Sequence, residues 1–273
     1  LDDKTHVVKA FEQFESYYQT DLAKLDIEKF IGIVLFDGLA KAEERLMDWI
    51  GDLTDITFIG GSAGDDLRFK QTYVYANSNV YTQAAVLVLI KTRYGFDTLK
   101  TQSFNPLDKQ LVATQVDEAN RTVISFNGKP ARDAYSELTG YSPEKAEDAF
   151  MHHPVGLMVG DEPFVRSPQR FDDEKMVFYC NIMEGMEYRL LESTDIVLDT
   201  QKALRDKGWD DNQQIAGILN FHCILRTLEL ESKSQTNAYG ELFSKVPTLG
   251  FSTYGEAYIG HMNQTSTMIA FKA

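Results

Sequence analysis

The chain has 273 residues, 25% charged and 43% hydrophobic, with a formal net charge of −14. That length supports one large domain or two modest ones, each with its own core. The acidic balance, uninterrupted by any Lys/Arg cluster, argues against a nucleic-acid partner, because phosphate needs a basic face. No apolar run nears the ~20 residues of a membrane span, so no membrane partner is expected either.

The opening residues LDDKTH lack the basic and hydrophobic character of a signal peptide. Cys180 and Cys223 are far apart and in no metal or redox spacing. A reduced, cytoplasmic setting with both thiols buried follows.

In chain order, Val7, Phe11, Phe14, Tyr18, Leu22 and Leu25 fall at helical spacing and predict an amphipathic opening helix. Ile31–Phe36 is an unbroken apolar run, as in a strand covered on both faces. Leu39, Ala42, Leu46, Trp49 and Leu53 mark a second helix, and Thr57–Gly60 returns as a strand into Gly61-Ser62-Ala63-Gly64-Asp65-Asp66. This is a β-α-β unit with a right-handed crossover. A hairpin is predicted from Thr72–Ala76 and Ala84–Ile90 around Asn77-Ser78-Asn79. Strands follow at 110–116 and 121–126, then an Asn127-Gly128 turn and a helix from Pro130 to Gly140. Ser142-Pro143-Glu144 predicts another helix start. Strand–turn–strand texture runs from Val155 to Leu191, and a helix near 195–207 is closed by Gly208.

The end of the chain repeats its beginning. Ile215–Phe221 echoes Ile31–Phe36, and Thr248–Glu256 echoes Thr57–Asp65, with a turn one residue longer. Matching turns of Ser, a small residue, Gly and an acid favour a duplicated architecture over chance likeness of apolar strands. The fold class is therefore α/β, with two related sheet-bearing halves, each β-α-β plus antiparallel strands, packed together.

The segment Gly250–Thr265, GFSTYGEAYIGHMNQT, is the densest in polar groups. A strand ending in a Gly-punctuated turn presents small polar side chains and bare N–H groups, and Ser252, Thr253, Tyr254, Glu256, Asn263 and Gln264 are its ligand-binding candidates. Cys223 and Arg226 follow a buried strand at the point where α/β sheets place ligands. Arg226 is suited to a bidentate carboxylate contact, with an ion pair to Glu229 or another local acid as the equally weighted alternative. Ser62 and Asp65 belong to the equivalent turn of the first half. The glycines there match neither GxxxxGK[ST] nor GxGxxG, so tight-turn geometry is their simpler role.

Taken together, these pieces make the chain resemble the FIST family, sensory domains named for F-box and intracellular signal-transduction proteins. The carriers are Phe58–Asp66 with Thr72-Tyr73-Val74, Pro154–Leu157 with Phe164–Ser167, Glu184-Gly185, Cys223–Arg226, Gly250–Glu256 and Asn263–Thr265. They run in family order over nearly the whole chain. The resemblance implies a FIST N-like half over 1–150 and a FIST C-like half over 151–273. Family members carry about one further β-α unit before this point, so the first half is expected to lack that portion.

The resemblance also implies a bacterial or archaeal input domain that binds a small molecule, such as an amino acid-like metabolite. Its output would go to a signalling protein such as a histidine kinase. No chemistry on the ligand is expected. A second reading is a haem-based nitric-oxide sensor regulating a histidine kinase or a cyclic-di-GMP enzyme. Covalent haem lacks its CxxCH. A non-covalent haem needs one axial imidazole, for which His261 is the first candidate and His222 the second, against ordinary core or surface roles. A hydrolase using Ser62 or Ser252 is the remaining alternative, although neither lies in a GxSxG elbow.

Overall fold

The computed structural model describes residues 1–210 and 214–273. Among the described residues, six α-helices, α1 to α6, and nineteen strands, β1 to β19, make a mixed α/β fold. The chain forms two compact units. The first contains Leu1–Thr101, Thr200–His261 and Thr265–Ala273, and the second contains Gln102–Asp199 with Met262–Gln264.

The first unit opens with α1 (Lys4–Tyr18), whose start is fixed by the Asp3 carboxylate accepting from the Thr5 amide at 2.9 Å. It continues through β1 (Phe30–Asp37), α2 (Glu43–Gly51), β2 (Phe58–Ala63), β3 (Val74–Ala76), β4 (Asn79–Tyr81), β5 (Ala85–Lys91) and β6 (Phe96–Gln102). The second unit carries β7 (Phe104–Asp117), β8 (Thr122–Phe126), β9 (Lys129–Pro130), α3 (Ala131–Thr139), β10 (Val155–Val159), β11 (Glu162–Arg166), β12 (Pro168–Asp172), β13 (Lys175–Phe178) and β14 (Glu187–Ser193). The chain then runs through α4 (Ile196–Asp206), β15 (Ile215–Cys223), α5 (Ile224–Ser232), α6 (Thr236–Glu241), β16 (Thr248–Thr253), β17 (Glu256–Tyr258), β18 (His261–Met262) and β19 (Thr265–Lys272).

Two sheets organise the first unit, in the orders β18-β17-β2-β1-β5 and β16-β15-β19-β6. Period-two patterning along β1 divides its side chains between two cores. Phe30, Val34 and Phe36 face α1 and α2, where Val7, Phe11, Leu46, Met47 and Ile50 complete one cluster. Ile31 and Ile33 face the other way, onto Ile59, Phe221 and Ile269 of both sheets. Beyond the second sheet, Ile218, Met268 and Ala270 pack against Leu204, Trp209 and Val246. The result is helix, sheet, sheet, helix.

The duplication is visible in strand pairing. β1 pairs β2 in parallel and β5 antiparallel, and β15 pairs β16 in parallel and β19 antiparallel. Ser62 lies opposite Phe36, and Ser252 lies opposite His222, the same register in each copy.

The second unit is one antiparallel sheet, β11-β10-β14-β7-β8-β13-β12, with β9 beside β8. Its core gathers Leu111, Val123, Phe126, Phe178 and Leu190 under Tyr135 of α3. Gly140, at φ 80°, ends α3 in the left-handed cap that glycine adopts without strain.

Several sequence expectations need correction. The partner of β3 across Asn77-Ser78 is β4, whereas the long run 85–91 pairs with β1. Positive φ at both Asn77 and Ser78 makes a two-residue turn, so the hairpin closes earlier than the apolar run suggests. The helix expected from Ser142 is only a 3₁₀ turn at Ala146–Ala149. The opening helix ends at Tyr18, because Gln19 takes a left-handed φ of 52°. Both cysteines are buried thiols outside any disulfide, as expected.

Candidate functional site

In both copies the second parallel strand reaches its partner so closely that glycine is required. A Cβ on Gly60 would lie 1.7 Å from the Val34 carbonyl oxygen, and one on Gly250 would lie 1.9 Å from that of Asn220. These glycines hold two strands together. They do not line a phosphate cradle. Past them, each strand delivers its serine and the following turn.

Glu256, at the start of β17, is fully buried. Its carboxylate accepts from the Thr253 hydroxyl, and from the Thr265 amide at 3.2 Å and hydroxyl at 2.7 Å. Burial pushes its pKa up from 4.5 to about 7, while these hydrogen bonds and nearby His261 offset part of the rise. β17 lies against β2, with Glu256 opposite Gly61, so the acid of the second copy closes onto the turn of the first.

Next to it, the Ser62 hydroxyl donates to Glu43 Oε1 at 3.0 Å, and His261 Nδ1 lies 3.0 Å from Glu44 Oε1. Glu43 and Glu44 occupy the first turn of α2. The side chain of His261 is 1% exposed and that of Glu44 19%. A Cβ on Gly255 would come within 2.0 Å of His261 Nε2, so that edge of the ring is packed against backbone. With Nδ1 turned to Glu44 and Nε2 against Gly255, the residues around His261 do not fit an axial haem ligand facing a macrocycle-sized slot. His222 is also buried, with Nδ1 3.1 Å from the Tyr239 hydroxyl. Burial and the Arg226 charge hold its imidazole well below the ordinary range.

The other candidates have partners of their own. Asp65 anchors its own loop, accepting from the Tyr254 hydroxyl at 2.6 Å and from the amides of Phe69, Lys70 and Gln71. That set holds the carboxyl far below the usual range, with the Tyr254 bond the largest cause. The Tyr254 hydroxyl in turn accepts from the Leu67 amide, and its ring stacks on Phe69 at 5.1 Å. Asp66, Leu67 and Phe69 all have positive φ, so Asp65 ties down a loop of unfavourable backbone.

Cys223 is opposite Thr253 at the end of β15 and sits at the N-cap of α5. Arg226 is buried, with Nη2 3.1 Å from the Thr200 hydroxyl. Glu229, the local acid named as its alternative partner, binds Lys233 at 2.6 Å. Ser252 shares a 2.8 Å hydrogen bond with Thr227. In the second unit, Gln264 accepts from Ser167 at 2.7 Å and donates to the Met151 carbonyl at 3.0 Å. Asn263 is fully buried. Thus Thr253 and Glu256 meet, as do Tyr254 and Asp65, whereas the hydrogen bonds described for Arg226 and Gln264 go to neither pair.

Three surface clefts lie elsewhere. One of about 790 Å³ is bordered by Ser125, Lys129, Arg132 and Glu174, and one of about 540 Å³ by Glu28, Arg93, Asp97 and Lys272. An apolar one of about 440 Å³ is bordered by Ile90, Ile218, Leu249 and Phe271. None of these three is lined by histidine.

The FIST N domain model matches residues 2–129, and the FIST C domain model matches 131–258. The chain belongs to the FIST family. FIST domains are sensory domains of signal transduction. An uncharacterized protein of Methanocaldococcus jannaschii is 25% identical over 204 residues, covering 69% of this chain and 39% of that protein. The chain therefore spans well under half the length of this curated relative. No solved structure matches. Among the described residues, no helix is long and apolar enough to cross a membrane.

Sequence reasoning missed three acids of the first unit. Glu43 and Glu44 read as ordinary acids of a helix start, although two adjacent acids in the first turn suit the helix dipole. Asp37, buried at the end of β1, accepts from the Thr72 hydroxyl and from the Gln83 amide at 2.6 Å. An acid closing an apolar strand is the signal that could have found it.

Proposed function

We propose that this FIST chain binds a small amine-bearing metabolite of the amino acid class and reports its presence to a signalling protein such as a histidine kinase, with no chemistry on the ligand. The observation that carries the reading is Glu256. It is a fully buried carboxylate with a pKa near 7, placed where two copies of one turn meet. A buried acid with so high a pKa is costly to ionise, and such groups cluster at functional sites. A ligand ammonium would supply the missing positive charge. Neither serine supports a hydrolase, since their described hydrogen bonds go to Glu43 and Thr227 and not to an imidazole. The packing around His261 gives haem no support.

The test is a thermal-shift and calorimetric screen of amino acids and their decarboxylated amines. One amine-bearing compound should raise the melting temperature, by linkage of binding to folding. Its affinity should increase between pH 6 and 8 as Glu256 ionises, and Glu256→Gln should lose both effects. A screen with no stabilising amine, or turnover of the bound compound, would overturn the reading.

A further inference from the structure

We propose that Glu43, Glu44 and His261 form a binding site for one divalent transition-metal cation of the zinc or manganese class. One donor atom from each residue lies within 4.8 Å of the other two. Donors bound to a metal at ~2.1 Å stand about 3 Å apart in cis positions and about 4 Å apart in trans. The His261 Nδ1 to Glu44 Oε1 separation of 3.0 Å already has the cis value. Glu43 supplies the third donor of the group.

The site is held in place from outside. Ser62, buried at the end of β2, donates to Glu43 Oε1 and fixes that carboxylate. The Gly255 backbone packs against Nε2 and turns Nδ1 inward. Outer contacts of this kind orient ligands in established metal sites. Both glutamates stand in the first turn of α2, and a metal takes them as carboxylates. Two glutamates and one histidine acting as metal ligands would bring two negative charges to a divalent cation. One nitrogen and two oxygens suit zinc, manganese or ferrous iron better than calcium or magnesium, which prefer all-oxygen shells. On binding, the cation takes the Nδ1 lone pair, and any proton held there leaves to solvent or moves to Nε2. Glu256 is outside the donor set, so this proposal does not depend on the amine reading.

The experiment is calorimetric titration of the chelator-stripped full chain with Zn²⁺, Mn²⁺ and Mg²⁺ separately. One equivalent of Zn²⁺ or Mn²⁺ should bind, with Mg²⁺ at least tenfold weaker. Glu44→Gln, at a partly exposed position and therefore tolerated by the fold, should weaken the preferred ion at least tenfold, as should His261→Gln. Glu241→Gln should change nothing. Co²⁺ should give visible bands of nitrogen–oxygen coordination that Glu44→Gln alters, a readout that stands even where His261→Gln fails to fold. Absence of saturable one-to-one binding, or binding and Co²⁺ bands unchanged in Glu44→Gln, would overturn the site.

Discussion

The two β-α-β modules of the first unit share strand order and register, yet their outer edges have opposite fates. β2 is flanked by β17, and five of its six residues are buried. β16, its counterpart, ends its sheet, and its first four residues are exposed, with Leu249 at 73%. The acids of the two turns diverge in step. Glu256 is buried against β2 with a raised pKa, whereas Asp65 is only half-buried with a lowered one. Duplication supplied two equivalent frames, and the addition of one strand to only one of them created a buried polar centre there.

The largest effect that would break this comparison concerns Glu256. Its folded pKa is about 7 against 4.5 for the free group. A raised acid favours the folded state fully below its unfolded pKa and loses that advantage as pH rises. Stability should therefore fall by about 3 kcal/mol between pH 4.5 and 7, and denaturant titrations of Glu256→Gln should lack this decline. Asp65 has the reverse sign. Its contribution is present above pH 4 and is lost as acid approaches its depressed folded pKa.

The glycines come next. Gly60→Ala places a methyl on backbone inside a sheet flanked on both sides, and should cost about 3 kcal/mol. Gly250→Ala meets the same clash on an edge strand able to swing outward, and about 1 kcal/mol is expected. Equal losses in urea melts would show that the free edge confers no tolerance. Asp65→Asn should expose 65–71 to limited proteolysis and shift the Tyr254 hydroxyl resonance, with little change at Glu256. The smallest effect belongs to Leu249→Lys. On an open edge it should change stability by less than about 0.5 kcal/mol while lowering self-association at high concentration, since edge charges block strand pairing.

Much of the frame was legible because period and punctuation are local signals. The apolar runs at 31–36 and 215–221 became β1 and β15, and Asn127-Gly128 and Gly208 closed their elements through positive φ. The echo between Thr57–Asp65 and Thr248–Glu256 survived as equal registers. Partner choice was less legible. Nothing in Ala85–Lys91 says that it pairs with β1 instead of β3, because both pairings satisfy the same alternation. The site was read in part. Glu256 and Thr253 stood out as polar residues beside glycine, but Glu43 and Glu44 join His261 across 217 residues of chain, and no spacing rule spans that distance. Tyr254 and Asp65 were picked as ligand groups, and in the structure they hydrogen-bond to each other.

The first unit is assembled from three stretches of chain, with the whole of 102–199 between the first two. In the order of synthesis, β1 and β2 emerge well before β17, which flanks β2, and before β15 and β19, which pair with each other. Their contacts close loops of nearly two hundred residues in the first case, the kind of long-range pairing that slows folding. The second unit owes almost all of its sheet to one continuous stretch and can form while the rest is still being made. Until β17 docks, Gly60, Gly61 and Ser62 present an open apolar-backed edge. A ribosome stalled shortly before residue 256 would therefore hold a second unit lacking only Met262–Gln264 and a first unit still unfinished, with that edge available for capture by chaperones.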